Sequence, residues 1–380
     1  MNGSTVSTRS ISAVAIDSSD PSGRRLVLTL SGTAPTGSVD LRVSYKAPAG
    51  NQSSGVLQDL AGNDVASISN QYATTFYAST SVSSLASQYG TLILTGSSAI
   101  NGVGNSNANT ISGNSAVNII TGGAGIDNMD GGASGDIYVV ANASDHSDFE
   151  INDTGAAGTG IVDELRFTAT STTAGATLAI YAGDRGLERA IIGTGTGSTA
   201  TTTATTALNL DASAAPNGLE LVGNNGVNTL TGSAFADIIK SGNGVDTIIG
   251  GDGADTIVYT TLSHGLVGGS SSARTFERLT DFTVGLDKFD VTNVPTNGAF
   301  KNLGALSALT DTALAGLLTT STFVAKGAAT FTYGSGSTER SFIAFNDSTA
   351  GFSAGSDAVV EITGYGFASG FTSLSQISII

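Results

Sequence analysis

Residues 223–258 read GNNGVNTLT GSAFADIIK SGNGVDTII GGDGADTIV, four nine-residue units that follow one another without a gap. The first half of each unit is rich in turn-forming residues, and the second half is a short run suited to a strand. The eighth position is apolar in all four: Leu230, Ile239, Ile248 and Ile257. The same frame occurs over residues 104–139 as GNSNANTIS GNSAVNIIT GGAGIDNMD GGASGDIYV, with Ile111, Ile120, Met129 and Tyr138 at position eight. The two blocks are offset by 119 residues, from Gly104 to Gly223, so the chain contains an internal duplication of pattern. A repeat this short buries its apolar residue only by stacking on its neighbours.

Such a seam is thin. Burying one large apolar side chain contributes ~1.5–3 kcal/mol, whereas ordering the backbone costs ~1–2 kcal/mol for every residue of the unit. The turns must supply the rest. Glycines at positions one, two and four permit backbone conformations that aim carbonyl oxygens inward, and position six is Asp or Asn in every unit. Oxygen donors suit calcium, which takes about six to eight of them. With two nonapeptides per coil, turns eighteen residues apart lie over one another, pairing Asn109 with Asp127, Asn118 with Asp136, Asn228 with Asp246 and Asp237 with Asp255. Carbonyls of Gly122, Gly125, Gly131, Gly242, Gly244, Gly250 and Gly253 would complete the shells. Ordinary turn chemistry without metal accounts for any one of these residues, but eight turns in strict register favour the metal.

The units resemble the GGxGxDxUx motif of the RTX, or haemolysin-type, calcium-binding repeat proteins. That resemblance implies a parallel β-roll folded by several calcium ions. GGAGIDNMD, SGNGVDTII and GGDGADTIV match it almost fully, while the leading units carry Asn109, Asn118 and Asn228 where the family has Asp, so their sites should bind more weakly. Asp281 and Asp287, in TDFTVGLDK, resemble positions that close the last site over Asp255.

Outward from the blocks, residues 1–80 alternate in period two, with Leu26, Leu28 and Leu30, then Leu41, Val43 and Tyr45, as strands. VDLRVSYKAPAGN and LQDLAGN are similar to Ig-like segments of bacterial swimming-motility surface proteins and adhesins, which implies a β-sandwich there, short of its opening strands. Residues 81–260 form the expected roll, with DELRFTA, ATLAIYA and TALNLDA as strands of irregular coils between the blocks. Residues 261–380 read as a β-rich cap with one helix around Leu306 to Leu318. TDFTVGLDKFDV and RSFIAFNDSTAGFSAGSDAVVEITGY resemble the C-terminal regions of type I secreted RTX proteins, which places an export signal in the cap. The fold class expected is all-β: a sandwich, a β-roll with two blocks, and a cap.

Composition agrees. Of 380 residues, 51 are Gly and only 12% are charged, which disfavours helices. The 31 acidic against 15 basic residues leave a formal net charge of −16, which repels nucleic acid and anionic lipid and favours cations. The absence of Cys excludes disulfides, zinc-thiolate sites and a thiol nucleophile. No apolar run reaches the length of a membrane span. The two histidines, His146 and His264, lie outside any HExxH and read as surface or turn residues. GFSAG at 351–355 fits GxSxG, but it precedes a strand-like DAVVEIT rather than a helix, so Ser353 reads as a loop residue. The Thr-rich tract TGTGSTATTTATT reads as a solvated loop. The expectation is a secreted, non-enzymatic, calcium-binding surface protein with a structural or adhesive role. Its partners would be cell-surface polysaccharide or further copies in a surface layer. The rivals are a calcium-dependent carbohydrate-binding module and a hydrolase using Ser353.

Overall fold

Three residues of strand per unit leave one side chain facing in, and that residue is the apolar one. In the strands Thr229–Thr231, Ile238–Lys240 and Thr247–Ile249 the central Leu230, Ile239 and Ile248 are fully buried. Alternate units feed opposite sheets. Thr229–Thr231 pairs in parallel with Thr247–Ile249, and Ile238–Lys240 with Thr256–Tyr259, so Leu230 faces Ile248 and Ile239 faces Ile257. The first block repeats this, with Ile111 facing Met129 and Ile120 facing Tyr138. Two nonapeptides therefore make one turn of a β-roll.

The computed structural model describes residues 75–380 apart from 156–160, 169–173, 196, 260, 266–267, 293, 296–298 and 364–376. Before residue 75 it describes the backbone of four strands, in which Ile11–Ile16 pairs antiparallel with Leu26–Leu30, and Arg42–Tyr45 with Ile68–Tyr72. Both runs read as strands from their alternation are strands; the turns that would define a sandwich lie outside the described residues.

One ten-stranded parallel sheet runs through both blocks and everything between them, from Gly102–Val103 to Ser378–Ile379. Within it Tyr138 faces Leu165, Leu165 faces Ala190 and Ala190 faces Leu221, steps of 27, 25 and 31 residues. The irregular coils thus keep the register of the apolar row while changing the length of chain spent outside it. On the other wall Leu92, Ile111 and Met129 stack, and after an interruption Leu178, Leu210, Leu230 and Ile248 stack in turn. Where the nonapeptides lapse, ion pairs line the sheet. Glu164 pairs with Arg166 on its own strand (2.6 Å) and with Arg189 on the next (3.6 Å), and Glu220 pairs across strands with Arg189 and Lys240 (both 2.5 Å).

The cap is an extension of the roll. Strand Ala358–Ile362 pairs in parallel with Glu277–Leu279 and antiparallel with Arg340–Phe345, which pairs antiparallel with Ala328–Tyr333. Side chains alternate along these strands: Ile343, Phe345 and Val360 enter the core of the roll, while Phe342, Ala344 and Val359 form a second core with Leu314 and Leu318. The helix is shorter than the expected Leu306–Leu318. Phe300–Leu306 is a strand parallel to Ala328–Tyr333, and the helix is Asp311–Leu317. Thr310 fixes its start, because the hydroxyl accepts the Ala313 N–H at 3.2 Å.

Ile248 sits at the centre of the buried row with no exposure. Replacing it with Ala should destabilise the calcium-saturated fold by about 2–5 kcal/mol, measured by denaturant unfolding; a loss under 1 kcal/mol would show that the apolar row contributes little.

Candidate metal centre

The turns of the later two units of each block share one backbone solution: positions two and four are left-handed, as at Gly242 (φ +91°) and Gly244 (φ +135°). At Gly244 space and conformation act together, since a Cβ there would lie 2.4 Å from the carbonyl oxygen of Gly226 in the turn below. A Cβ on Gly125, Gly242 or Gly253 would likewise lie 2.9, 2.2 or 2.5 Å from the backbone of Asn107, Asn224 or Phe235. The carbonyl oxygens of Gly122, Gly131 and Gly250 lie over the first residues of the turns eighteen positions earlier, next to Oδ1 of Asn109, Oδ1 of Asn118 and Oδ2 of Asp237.

The sixth side chain turns inward and is buried in every complete unit. One oxygen of each acid ties its turn to the coil below by accepting the backbone N–H of the residue eighteen positions earlier. Asp127 accepts from Asn109 (2.8 Å), Asp136 from Asn118 (2.6 Å), Asp237 from Leu219 (2.6 Å), Asp246 from Asn228 (2.8 Å) and Asp255 from Asp237 (2.9 Å). Each pair expected from the spacing is therefore in direct contact. The second oxygens of Asp136, Asp246 and Asp255 are buried with no hydrogen-bond partner. A buried carboxylate oxygen without a donor is costly, and a hard cation is what it lacks. Three such oxygens amid turn carbonyls, in repeats that hold no Cys and no His, fit calcium.

The asparagines behave differently. Asn118 accepts the Asn114 N–H on Oδ1 and donates Nδ2–H to the Ile100 carbonyl (2.6 Å). Asn228 does the same with Asn224 and Leu208 (2.7 Å), while Asn109 accepts from Asn105. The Asn118 and Asn228 turns meet non-repeat coils whose carbonyls an amide donor satisfies where a carboxylate could not, whereas Asn109 donates to Asn105 Oδ1 in its own turn (3.2 Å). Asp237 also has both oxygens occupied, since Oδ2 accepts from Ser233 N and Oγ.

At the far end Asp287 stands over Asp255, accepting its N–H (3.0 Å) and that of Thr283 (2.6 Å). Asp281 accepts from Gly250 N and Gly251 N, both at 2.8 Å, which caps the last turn.

Several acids outside the nonapeptides occupy the same role. Glu150 accepts the Asp127 N–H (2.9 Å), Asp163 that of Asp136 (2.7 Å) and Glu188 that of Asp163 (2.8 Å). Glu277 is in register over Asp246, fully buried, accepting from Ser241 Oγ and Tyr259 OH while its Oε2 has no partner. Their signal in the sequence is an acid at or just before the start of a strand, as in DELRF and ERL.

His146 is not a surface residue. Its ring lies 2.9 Å from Glu150 Oε2 through Nδ1 and 3.0 Å from Asp184 Oδ2 through Nε2, all three side chains being buried. A neutral imidazole has one N–H, so two carboxylate partners select the imidazolium. Burial alone would lower its pKa, but the bonds to Asp184 and Glu150 outweigh this and raise it to about 9. His264 lies half-buried in the turn Leu262–Gly265, where burial lowers its pKa. GFSAG connects the antiparallel strands Arg340–Phe345 and Ala358–Ile362, and the Ser353 N–H is bonded to Asp357 Oδ2 (2.6 Å), so the strand–turn–helix of a nucleophile elbow is absent at this motif. In the Thr-rich tract, the described residues from Gly197 to Thr205 are mostly exposed, and carbonyls of Thr202 and Ala204 accept the Asn225 N–H.

The profile of the RTX calcium-binding nonapeptide repeat matches residues 103–138 and 222–257, in four copies. No curated protein matches the chain. The chain thus carries RTX calcium-binding repeats, wound as a β-roll with buried acids in its turns.

Burial raises the carboxyl groups of Asp136, Asp246 and Asp255 to about 7 in the metal-free chain, against an ordinary 3.8. Between these values the folded metal-free state holds more protons than the unfolded one, so its stability is greatest below pH ~4 and is lost as pH rises through ~7. Without calcium, circular dichroism should therefore show more β-structure at pH 5 than at pH 8, and calcium affinity should rise over the same interval. A metal-free signal that does not change with pH would contradict the burial of ionisable turns.

Proposed function

We propose that this chain is a secreted, non-enzymatic surface protein with a structural or adhesive role, whose β-roll folds outside the cell when calcium fills its turns. The observation that carries the proposal is the set of buried sixth-position carboxylates, each bonded through one oxygen and, at Asp136, Asp246 and Asp255, bare at the other. A preformed site of this kind does not exist in the unfolded chain, so the free energy of binding is free energy of folding. Low intracellular calcium would leave the acidic repeats extended and exportable, and millimolar external calcium would close them. The export signal is assigned to the cap from its likeness to type I secreted proteins. Among the described residues no helix is long and apolar enough to cross a membrane.

A non-enzymatic role is supported by the placement of GFSAG in a hairpin connection and by the engagement of His146 with Glu150 and Asp184. The partner would be cell-surface polysaccharide or further copies of the chain in a surface layer, coat or biofilm. The metal would be held by Asp127, Asp136, Asp246 and Asp255 with glycine carbonyls of the adjoining turns. The Asn turns would be closed by their own amides.

Calcium titration followed by circular dichroism tests this reading: β-structure should grow with calcium and vanish on chelation. Replacing both Asp246 and Asp255 with Ala should raise the calcium needed for half-maximal folding by at least tenfold. An unchanged midpoint would remove these residues from the ligand set, and a wild-type signal indifferent to calcium would end the proposal.

A further inference from the structure

We infer that the divalent cation at Asp136 is bound where the first block meets the irregular coils, by Asp136 together with Asp153 and Asp163. The inference rests on the calcium-dependent reading above and completes the site of Asp136 in it with two acids that lie outside the nine-residue repeats. One carboxylate oxygen from each of the three residues lies within 4.8 Å of the others. Asp136 and Asp163 are buried and Asp153 is half-buried.

The second observation is the unpartnered Oδ2 of Asp136, whose residue has no exposed surface. Its Oδ1 is held by the Asn118 N–H at 2.6 Å, so the free oxygen is the one left for a ligand. Asp163 follows Asp136 in register, with Glu164 facing Ile137, although 27 residues separate them instead of the eighteen of a complete repeat. The extra chain is what delivers Asp153. That side chain is fixed on both oxygens: Oδ1 accepts the Gly155 N–H (2.7 Å), and Oδ2 accepts the hydroxyl of Tyr138 (2.5 Å), which itself accepts the Gly131 N–H (2.7 Å). Tyr138 stands at an apolar position of the repeat, so its hydroxyl is a departure that positions this acid. Among the described residues no Lys or Arg ion pair involves any of the three. Three carboxylates at one point repel one another unless a cation lies between them, and a carboxylate oxygen that accepts one hydrogen bond still has a lone pair for a metal. Oxygen-only donors and a high ligand charge select calcium over softer metals.

The test uses the full chain and calcium itself. Equilibrium dialysis at saturating calcium should give one ion fewer per chain for the Asp153→Asn/Asp163→Asn double variant than for the wild type. The amides preserve shape while removing charge. The same stoichiometry and affinity in both would overturn this site alone, whereas a wild type that binds no calcium would overturn the wider reading as well. A second measurement covers failure of the double variant to fold. The chain has no Trp, so terbium replacing calcium is sensitised only by Tyr, and Tyr138→Phe removes just the hydroxyl that touches Asp153. A drop in tyrosine-sensitised terbium emission in Tyr138→Phe and in the single variant Asp153→Asn supports the site; emission equal to wild type in both overturns it.

Discussion

A buried carboxylate has two oxygens, and in these turns one is spent on the chain itself. By accepting the backbone N–H of the coil below, Oδ1 of Asp136, Asp246 and Asp255 locks successive turns in register, and the other oxygen is left in a dry site without a donor. Removing an uncompensated charge from water costs several kcal/mol per ion, so the fold depends on a proton or a metal arriving there. The thin apolar row makes that dependence unavoidable, because one buried side chain per nine residues does not offset the ordering of the rest. The glycines follow from the same constraint, since a Cβ at Gly242 or Gly244 would collide with a carbonyl oxygen of the turn below.

The rest of the molecule solves the same problem by other means. In the irregular coils Glu164 and Glu220 meet Arg166, Arg189 and Lys240, so cations from the chain stand where ions would otherwise be needed. His146, as an imidazolium between Glu150 and Asp184, is the buried version of that device, one coil beyond the Asp127 turn. At the leading turns the amides of Asn118 and Asn228 replace charge with a donor. At the trailing end Asp281 and Asp287 finish the column of acids, and the antiparallel strands of the cap cover what would be an open end of the roll.

Much of this was legible from period alone. The apolar eighth position and the acid or amide at the sixth marked coils of eighteen residues, and Ile239 faces Ile257 as that period requires. Asp163 and Glu188 were not legible, because coils of 27 and 25 residues carry no repeat to count and their acids stand out only once the strands are aligned. Asn and Asp look interchangeable in the motif, yet the amide's donor gives Asn118 a partner that Asp136 lacks at its Oδ2. His146 looked like a turn residue because its two carboxylate partners are 4 and 38 residues away. The helix is shorter than its apolar pattern suggests, since Leu306 fits an apolar helical face as well as the end of the strand it closes. The sandwich expected over residues 1–80 rests on turns outside the described residues.

The most direct measurement is a crystal structure of the calcium-saturated chain with anomalous diffraction data collected to locate calcium. Anomalous peaks within about 2.3–2.6 Å of Oδ2 of Asp136, Asp246 and Asp255 are the expected result. Density in which these oxygens carry protons or bind only water, with the turns still stacked, would contradict it.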